Sequence, residues 1–179
     1  MARAAVVNLL SGGTEQGAST ITMQVARNFF LSPEKTYTRK LKEILLALKI
    51  EHELTKNQIL ELYLNKIFLG HRAYGFGAAA QVYYGKSVHT LTLPEMAMLA
   101  GLPKAPSRNN PLSNPDTALE RRNYVLQRMR TLEYIDAEAL ELAKAAPLTA
   151  SKHALQYDIE APYVAEMVRQ YIVEADEYT

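Results

Sequence analysis

The chain has 179 residues, 48% of them hydrophobic and 22% charged, with a net charge of +1 and no cysteine. That is ordinary globular material, enough for one domain with a real core and an appendage. It excludes a disulfide framework, a thiol nucleophile and a cysteine-held metal, and no window nears the roughly 18 consecutive apolar residues that a bilayer span requires.

The small net charge hides two poles. Between residues 27 and 49 the basic side chains of Arg27, Lys35, Arg39, Lys40, Lys42 and Lys49 face only Glu34 and Glu43, a local balance of +4. Residues 154–179 carry six acids against Arg169 alone, a balance of −5. The two ends therefore meet different neighbours.

In chain order, the apolar run MARAAVVNLLSGG leads into GASTITMQVARNFF, residues 17–30. Ser19, Thr20 and Thr22 compete with the helical backbone for hydrogen bonds, so at the front of a helix their common use is capping. Gly12, Gly13 and Gly17 precede them, and free amides follow. The same place would also serve as an anion pocket, suited to phosphate if Arg27 and Lys35 fold back toward it.

The next segment, SPEKTYTRKLKEILLALKIEHEL, offers Ser32 as N-cap and Pro33 at the first helical position, with Leu41, Ile44, Leu45 and Leu48 on a 3.6-residue period. Glu43 sits one turn after Arg39, and the common outcome of that spacing is a surface ion pair worth a few tenths of a kcal/mol. The functional alternative is a carboxylate used as charge stabiliser or base in glycosyl chemistry, which ordinarily needs two acids.

TKNQILELYLN begins with a capping box of Thr55 and Gln58 and carries Ile59, Leu60, Tyr63 and Leu64 on one side. TLPEMAMLAG repeats the device with Thr92 and Glu95, and Gly101 is placed to stop that helix. NPDTALERRNYVLQRM has Asn114 as cap and Pro115 at the first position, with Leu119, Val125, Leu126 and Met129 turned inward. The connections NKIFLGHRAYGFG and GLPKAPSRNNPLSNP are irregular, with a brief strand pairing expected around residues 67–69. DAEALELAKAA then runs to Pro147, a linker follows, and the amphipathic run APYVAEMVRQYIVE comes last. His52, His71, His89 and His153 have no ligand spacing, so no metal site is expected of them.

Four of these stretches, GASTITMQVARN, RKLKE at residues 39–43, KNQILELYLN at 56–65 and RRNYVL at 121–126, resemble four of the five ordered motifs of the family 51 peptidoglycan glycosyltransferases. FLGHRAYGFGAAAQVYYGK, LTLPEMAMLAGLPKAPSRNNP and APYVAEMVRQ are similar to the class A penicillin-binding proteins, most nearly the type 1a kind of Gram-negative bacteria. The resemblance runs over essentially the whole chain.

It implies a mainly α, lysozyme-like glycosyltransferase domain, incomplete, over residues 1–147, and a linker with a C-terminal helix over 148–179 leading toward a transpeptidase domain of the same parent chain. The implied activity is polymerisation of lipid II into glycan strands at the periplasmic face of the inner membrane. By motif match the catalytic residue is Glu43. Ser19, Thr20, Gln24, Arg27, Lys35, Arg39, Lys40 and Lys42 are the substrate-binding set around the sugar-pyrophosphate. The fourth and fifth motifs read as scaffold bracing the cleft. The family also implies a divalent cation, Mg or Mn, at the pyrophosphate, although the sequence shows no dedicated ligand set. No nucleic-acid partner is expected.

Two departures stand out. Met23 occupies the first place of a pair where the family usually has two glutamines. The family's first motif, a Glu-Asp pair whose glutamate is the catalytic base, lies upstream of the run that RAAVVNLLSGGTEQG resembles, and no carboxylate precedes Glu15. The expectation is a fragment of a bifunctional enzyme, inactive on its own and attached to the membrane through a preceding helix. The alternative is a non-catalytic module that binds lipid-linked sugar pyrophosphate.

Overall fold

The computed structural model describes residues 19–31, 36–153 and 162–174. Within them the chain forms α1 (Ile21–Phe30), α2 (Tyr37–Glu53), α3 (Lys56–Lys66), α4 (Phe76–Tyr84), α5 (Leu93–Gly101), α6 (Pro115–Thr131), α7 (Ala137–Ala145) and α8 (Pro162–Glu174). Single 3₁₀ turns lie at Val88–Thr90 and Leu102–Lys104. Strand pairing among the described residues is limited to an antiparallel bridge between Phe68 and Tyr74. The fold is mainly α, and no described helix is long and apolar enough to cross a membrane.

Most helices start where a side chain can satisfy their free amides. Thr20 Oγ1 accepts from Met23 N at 3.2 Å, and Asp136 Oδ1 accepts from Ala139 N at 2.8 Å. Thr55 with Gln58 and Thr92 with Glu95 form the two expected capping boxes. For α2 the cap is Thr36, which accepts from Arg39 N at 3.1 Å, so the helix starts at Tyr37 instead of at Pro33. Ser32, Pro33 and Lys35 lie outside the described residues.

The 3.6-residue leucine pattern of α2 is real, but it does not face the core. Leu41, Leu45 and Leu48 are about 60% exposed, and the buried residues of the helix are Glu43 and Ala47. The reason is the neighbour. α1 packs against both α2 and α3, and it meets α2 on the side where a small residue and a carboxylate lie.

The main core gathers Leu69, Ala79, Ala80, Val82, Tyr83, Leu99 and Leu102 around α4 and α5. α4 carries no side-chain cap and begins after Gly75 at φ 84°. Tyr83 is fully buried, and its hydroxyl donates to Leu69 O at 2.8 Å while accepting from Asn110 Nδ2 at 2.8 Å. One phenol thereby fixes the loops before α4 and after α5. Gly70 lies against it at φ 90°, where a Cβ would come within 2.7 Å of the Tyr83 hydroxyl.

A second cluster, Ala97, Leu126, Leu140 and Ala143, joins α5, α6 and α7. Gly101 does not stop α5 by a left-handed turn. It is the last helical residue, followed directly by the 3₁₀ turn, and it lies against the stem of Arg121 on α6. Arg122, 3% exposed, donates to the carbonyls of Lys144 and Ala146 at 2.8 Å each. It closes the C-terminal end of α7 and holds the chain where it leaves that helix.

Candidate active site

The three hydroxyls at the front of α1 divide their work. Thr20 caps the helix. Thr22, 4% exposed, donates to Glu51 at the far end of α2, and Lys56 of α3 donates to the other oxygen of the same carboxylate. Ser19 lies at the near end, where its Oγ stands 3.3 Å from Glu43 Oε1 and 2.8 Å from Lys40 Nζ.

Glu43 is the centre of that cluster. It is 1% exposed and not on the surface, so the expected solvated pair with Arg39 is corrected. Arg39 Nη1 donates to Oε2 at 3.3 Å, and Lys40 Nζ donates to Oε1 at 2.9 Å. The expected spacing from Arg39 is right, but its surroundings are not. α1 covers the pair, and burial is what turns a weak surface pair into a costly one to break. Arg39 is itself largely buried, and its Nε has no partner among the described residues.

Gln24, Arg27 and Asn28 lie further along α1 and form one wall of a cleft of about 310 Å³. Lys66 at the end of α3, with Phe68 and Tyr74 from the bridged loop, forms the other wall. Pro103 and Pro106 from the loop after α5 close it. Phe68 and Tyr74 pack ring to ring with centroids 5.2 Å apart. Lys66 Nζ sits 5.5 Å from the centroid of the Phe29 ring. The lining thus combines two cations, two side-chain amides and an aromatic pair, a surface that suits an anion joined to a sugar or an apolar group.

Of the sequence-derived set, Ser19, Arg39, Lys40 and Glu43 converge on one point, while Gln24 and Arg27 converge on the neighbouring cleft. Thr20 is occupied as the cap. Lys42 is exposed and forms no ion pair with Glu43, and Lys35 lies outside the described residues. Met23 is 1% exposed, so the residue that replaces a glutamine is part of the packing beneath α1. Lys66, Phe68, Tyr74 and Pro103 were not singled out from sequence. They come from the end of α3, the bridged loop and the loop after α5, and no local spacing marks them.

Among the described residues no three His, Asp or Glu side chains gather in a metal-binding group. The cleft's own polar atoms are amides and cations, and both oxygens of Glu43 already face Arg39 or Lys40. Among the described residues the cleft lining therefore offers a divalent ion side-chain amide oxygens but no carboxylate.

In this helical domain a buried carboxylate clamped by two cations thus lies next to a cationic and aromatic cleft. The family model described as Transglycosylase matches residues 1–130, and the chain belongs to that family. It is 57% identical over 171 residues to penicillin-binding protein 1A of Pseudomonas aeruginosa, covering 96% of this chain and 21% of that one. It is 60% identical over 168 residues to penicillin-binding protein 1A of Escherichia coli, covering 94% and 20% respectively. The crystal structure of penicillin-binding protein 1A from Haemophilus influenzae matches with a TM-score of 0.55 and 40% identity, over 88% of this chain and 21% of that one. The chain therefore spans about a fifth of the length of the relatives it matches.

Proposed function

We propose that this chain is the glycosyltransferase part of a peptidoglycan polymerase, acting on lipid II and the growing glycan strand at the periplasmic face of the inner membrane. In the parent protein it would be followed by a transpeptidase domain and held at the membrane by a preceding helix. One observation carries the reading: Glu43 of α2, 1% exposed, is fixed between Arg39, Lys40 and Ser19, and Ser19 immediately precedes the cap of α1, whose Gln24 and Arg27 line the cleft.

In this reading the acceptor sugar's 4-hydroxyl attacks the donor's anomeric carbon, the bond to pyrophosphate breaks, and the hydroxyl proton goes to a base. Arg27 and Gln24, with Lys35, hold the departing pyrophosphate by charge-assisted contacts. Glu43 fixes Arg39 and Lys40 in one orientation, and the net positive charge of that cluster stabilises the charge that develops on the departing pyrophosphate. The base is the glutamate of the family's upstream motif.

The test is labelled lipid II in detergent with the protein extended by that motif, the products being resolved by gel. Glycan ladders support the reading. Lipid II binding without ladders would leave the non-catalytic module, and neither binding nor ladders would end both.

A further inference from the structure

The two arginines of RRNYVL do different things. Arg122 is consumed by the carbonyls of Lys144 and Ala146. Its neighbour Arg121, about 100° away around α6, faces a second cleft of about 270 Å³ between α6 and the loop that follows α5. That loop is a partition. Pro103 and Pro106 face the first cleft, whereas Lys104 and Arg108 face the second.

From these features we infer that the second cleft is a phosphoryl oxyanion site, separate from the one that holds Gln24 and Arg27. Lys104, Arg108 and Arg121 line it against a single carboxylate, Glu120, and none of the three cations forms an ion pair among the described residues. The Arg121 head is aimed there by two constraints. Its stem passes over Gly101, where a Cβ would approach Arg121 Cγ to 2.9 Å, and its guanidinium lies over the Tyr124 ring at 4.7 Å.

The Arg121 Nε is buried with no hydrogen-bond partner among the described residues. That atom has almost no accessible surface, so the donors a ligand in the cleft would meet are the two Nη groups, which are accessible and make no hydrogen bond among the described residues. A guanidinium resting over an aromatic ring can still offer its two Nη groups to phosphoryl oxygens, and Lys104 and Arg108 add charge from the loop. Three cations against one carboxylate favour a group bearing more than one negative charge. That chemistry is common to soluble phosphate and to a lipid headgroup.

The experiment is a titration of the ¹⁵N-labelled 179-residue chain with inorganic phosphate at constant ionic strength. The expected result is saturable shifts of the Arg121 Nε–H and of the Arg108 and Thr117 amides, with affinity reduced about tenfold in Arg121→Gln and in Arg108→Gln. Arg108 is on an exposed loop, so its substitution leaves packing intact. Shifts that sodium chloride reproduces, or that survive both substitutions, would overturn the site. Competition by phosphatidylglycerol vesicles, but not by phosphatidylcholine ones, assigns the phosphoryl group to a lipid headgroup; absence of competition assigns it to soluble phosphate. Loss of this site leaves the lipid II reading intact, because that reading depends on Glu43 and Arg27.

Discussion

Lys40, on α2, donates from Nζ to Ser19 Oγ, ahead of α1, at 2.8 Å, and the same ammonium reaches Glu43 at 2.9 Å. One cation therefore joins the entry of one helix to a buried carboxylate on another. The cleft-lining residues of α1 and the carboxylate on α2 are thereby held in one frame.

Glu43→Gln keeps the shape and removes the charge, leaving Arg39 and Lys40 to face each other without a counterion. The expected loss of stability is about 1–3 kcal/mol, moderated because Lys40 is partly solvated, and glycan polymerisation by the protein with the upstream motif should fall by about 100-fold or more. Thermal denaturation and the lipid II gel measure the two effects. An unchanged Tm would return Glu43 to the role of a solvated surface residue, and an unchanged rate would remove it from the chemistry.

Arg27→Ala opens the cationic wall of the first cleft at a half-buried position without touching the core. Calorimetry with a lipid-linked sugar pyrophosphate should show binding weakened by about tenfold or more, since a hydrogen bond to a charged group contributes about 1.5–3 kcal/mol. Stability should change by less than about 1 kcal/mol. Undiminished binding would reduce Arg27 to a surface charge.

Gly101→Ala drives a methyl group toward Arg121 Cγ, near the root of that side chain. The contact between α5 and α6 must open, at an expected cost of about 1–3 kcal/mol by chemical denaturation. Phosphate binding at the second cleft should weaken along with stability, because the stem that aims Arg121 is displaced. Full stability in the alanine variant would show that the two helices are not tightly apposed there.

Glu95 gives the fold an acid limit. Burial pushes its carboxyl upward, but hydrogen bonds from Lys86 and from the Thr92 backbone outweigh it and hold the group below its ordinary value of 4.5. A carboxyl with a depressed folded pKa contributes stability that is fully present above the unfolded value and lost as pH falls toward the folded one. Tm should therefore decline below about pH 4.5, and Glu95→Gln should flatten that part of the profile while lowering Tm at neutral pH. A variant with the same acid slope as the parent would move the linkage to another group.

Local devices were readable in advance, and non-local ones were not. The Thr55–Gln58 and Thr92–Glu95 boxes depend on three-residue spacing and formed as expected. α4 was missed because it starts at a glycine with positive φ and lacks a side-chain cap. Gly101 looked like a stop signal because the space needed by Arg121 is a property of another helix. At the candidate site, motif order singles out Ser19, Arg39, Lys40 and Glu43, which the structure brings to one cluster, and Gln24 and Arg27, which line the neighbouring cleft. The burial of Glu43 and the arrival of Lys66, Phe68 and Tyr74 depend on how α1 lies across α2 and α3, which no window of sequence contains.

The orientation of α2 also reverses the usual map of mutational tolerance. In a saturation library over Tyr37–Glu53 sorted for folded protein, the columns at Glu43 and Ala47 should be nearly monomorphic, whereas those at Leu41, Leu45 and Leu48 should admit lysine and glutamine. An engineer improving solubility would thus find the leucines open to change. A substitution score built on hydrophobicity would protect the wrong side of the helix.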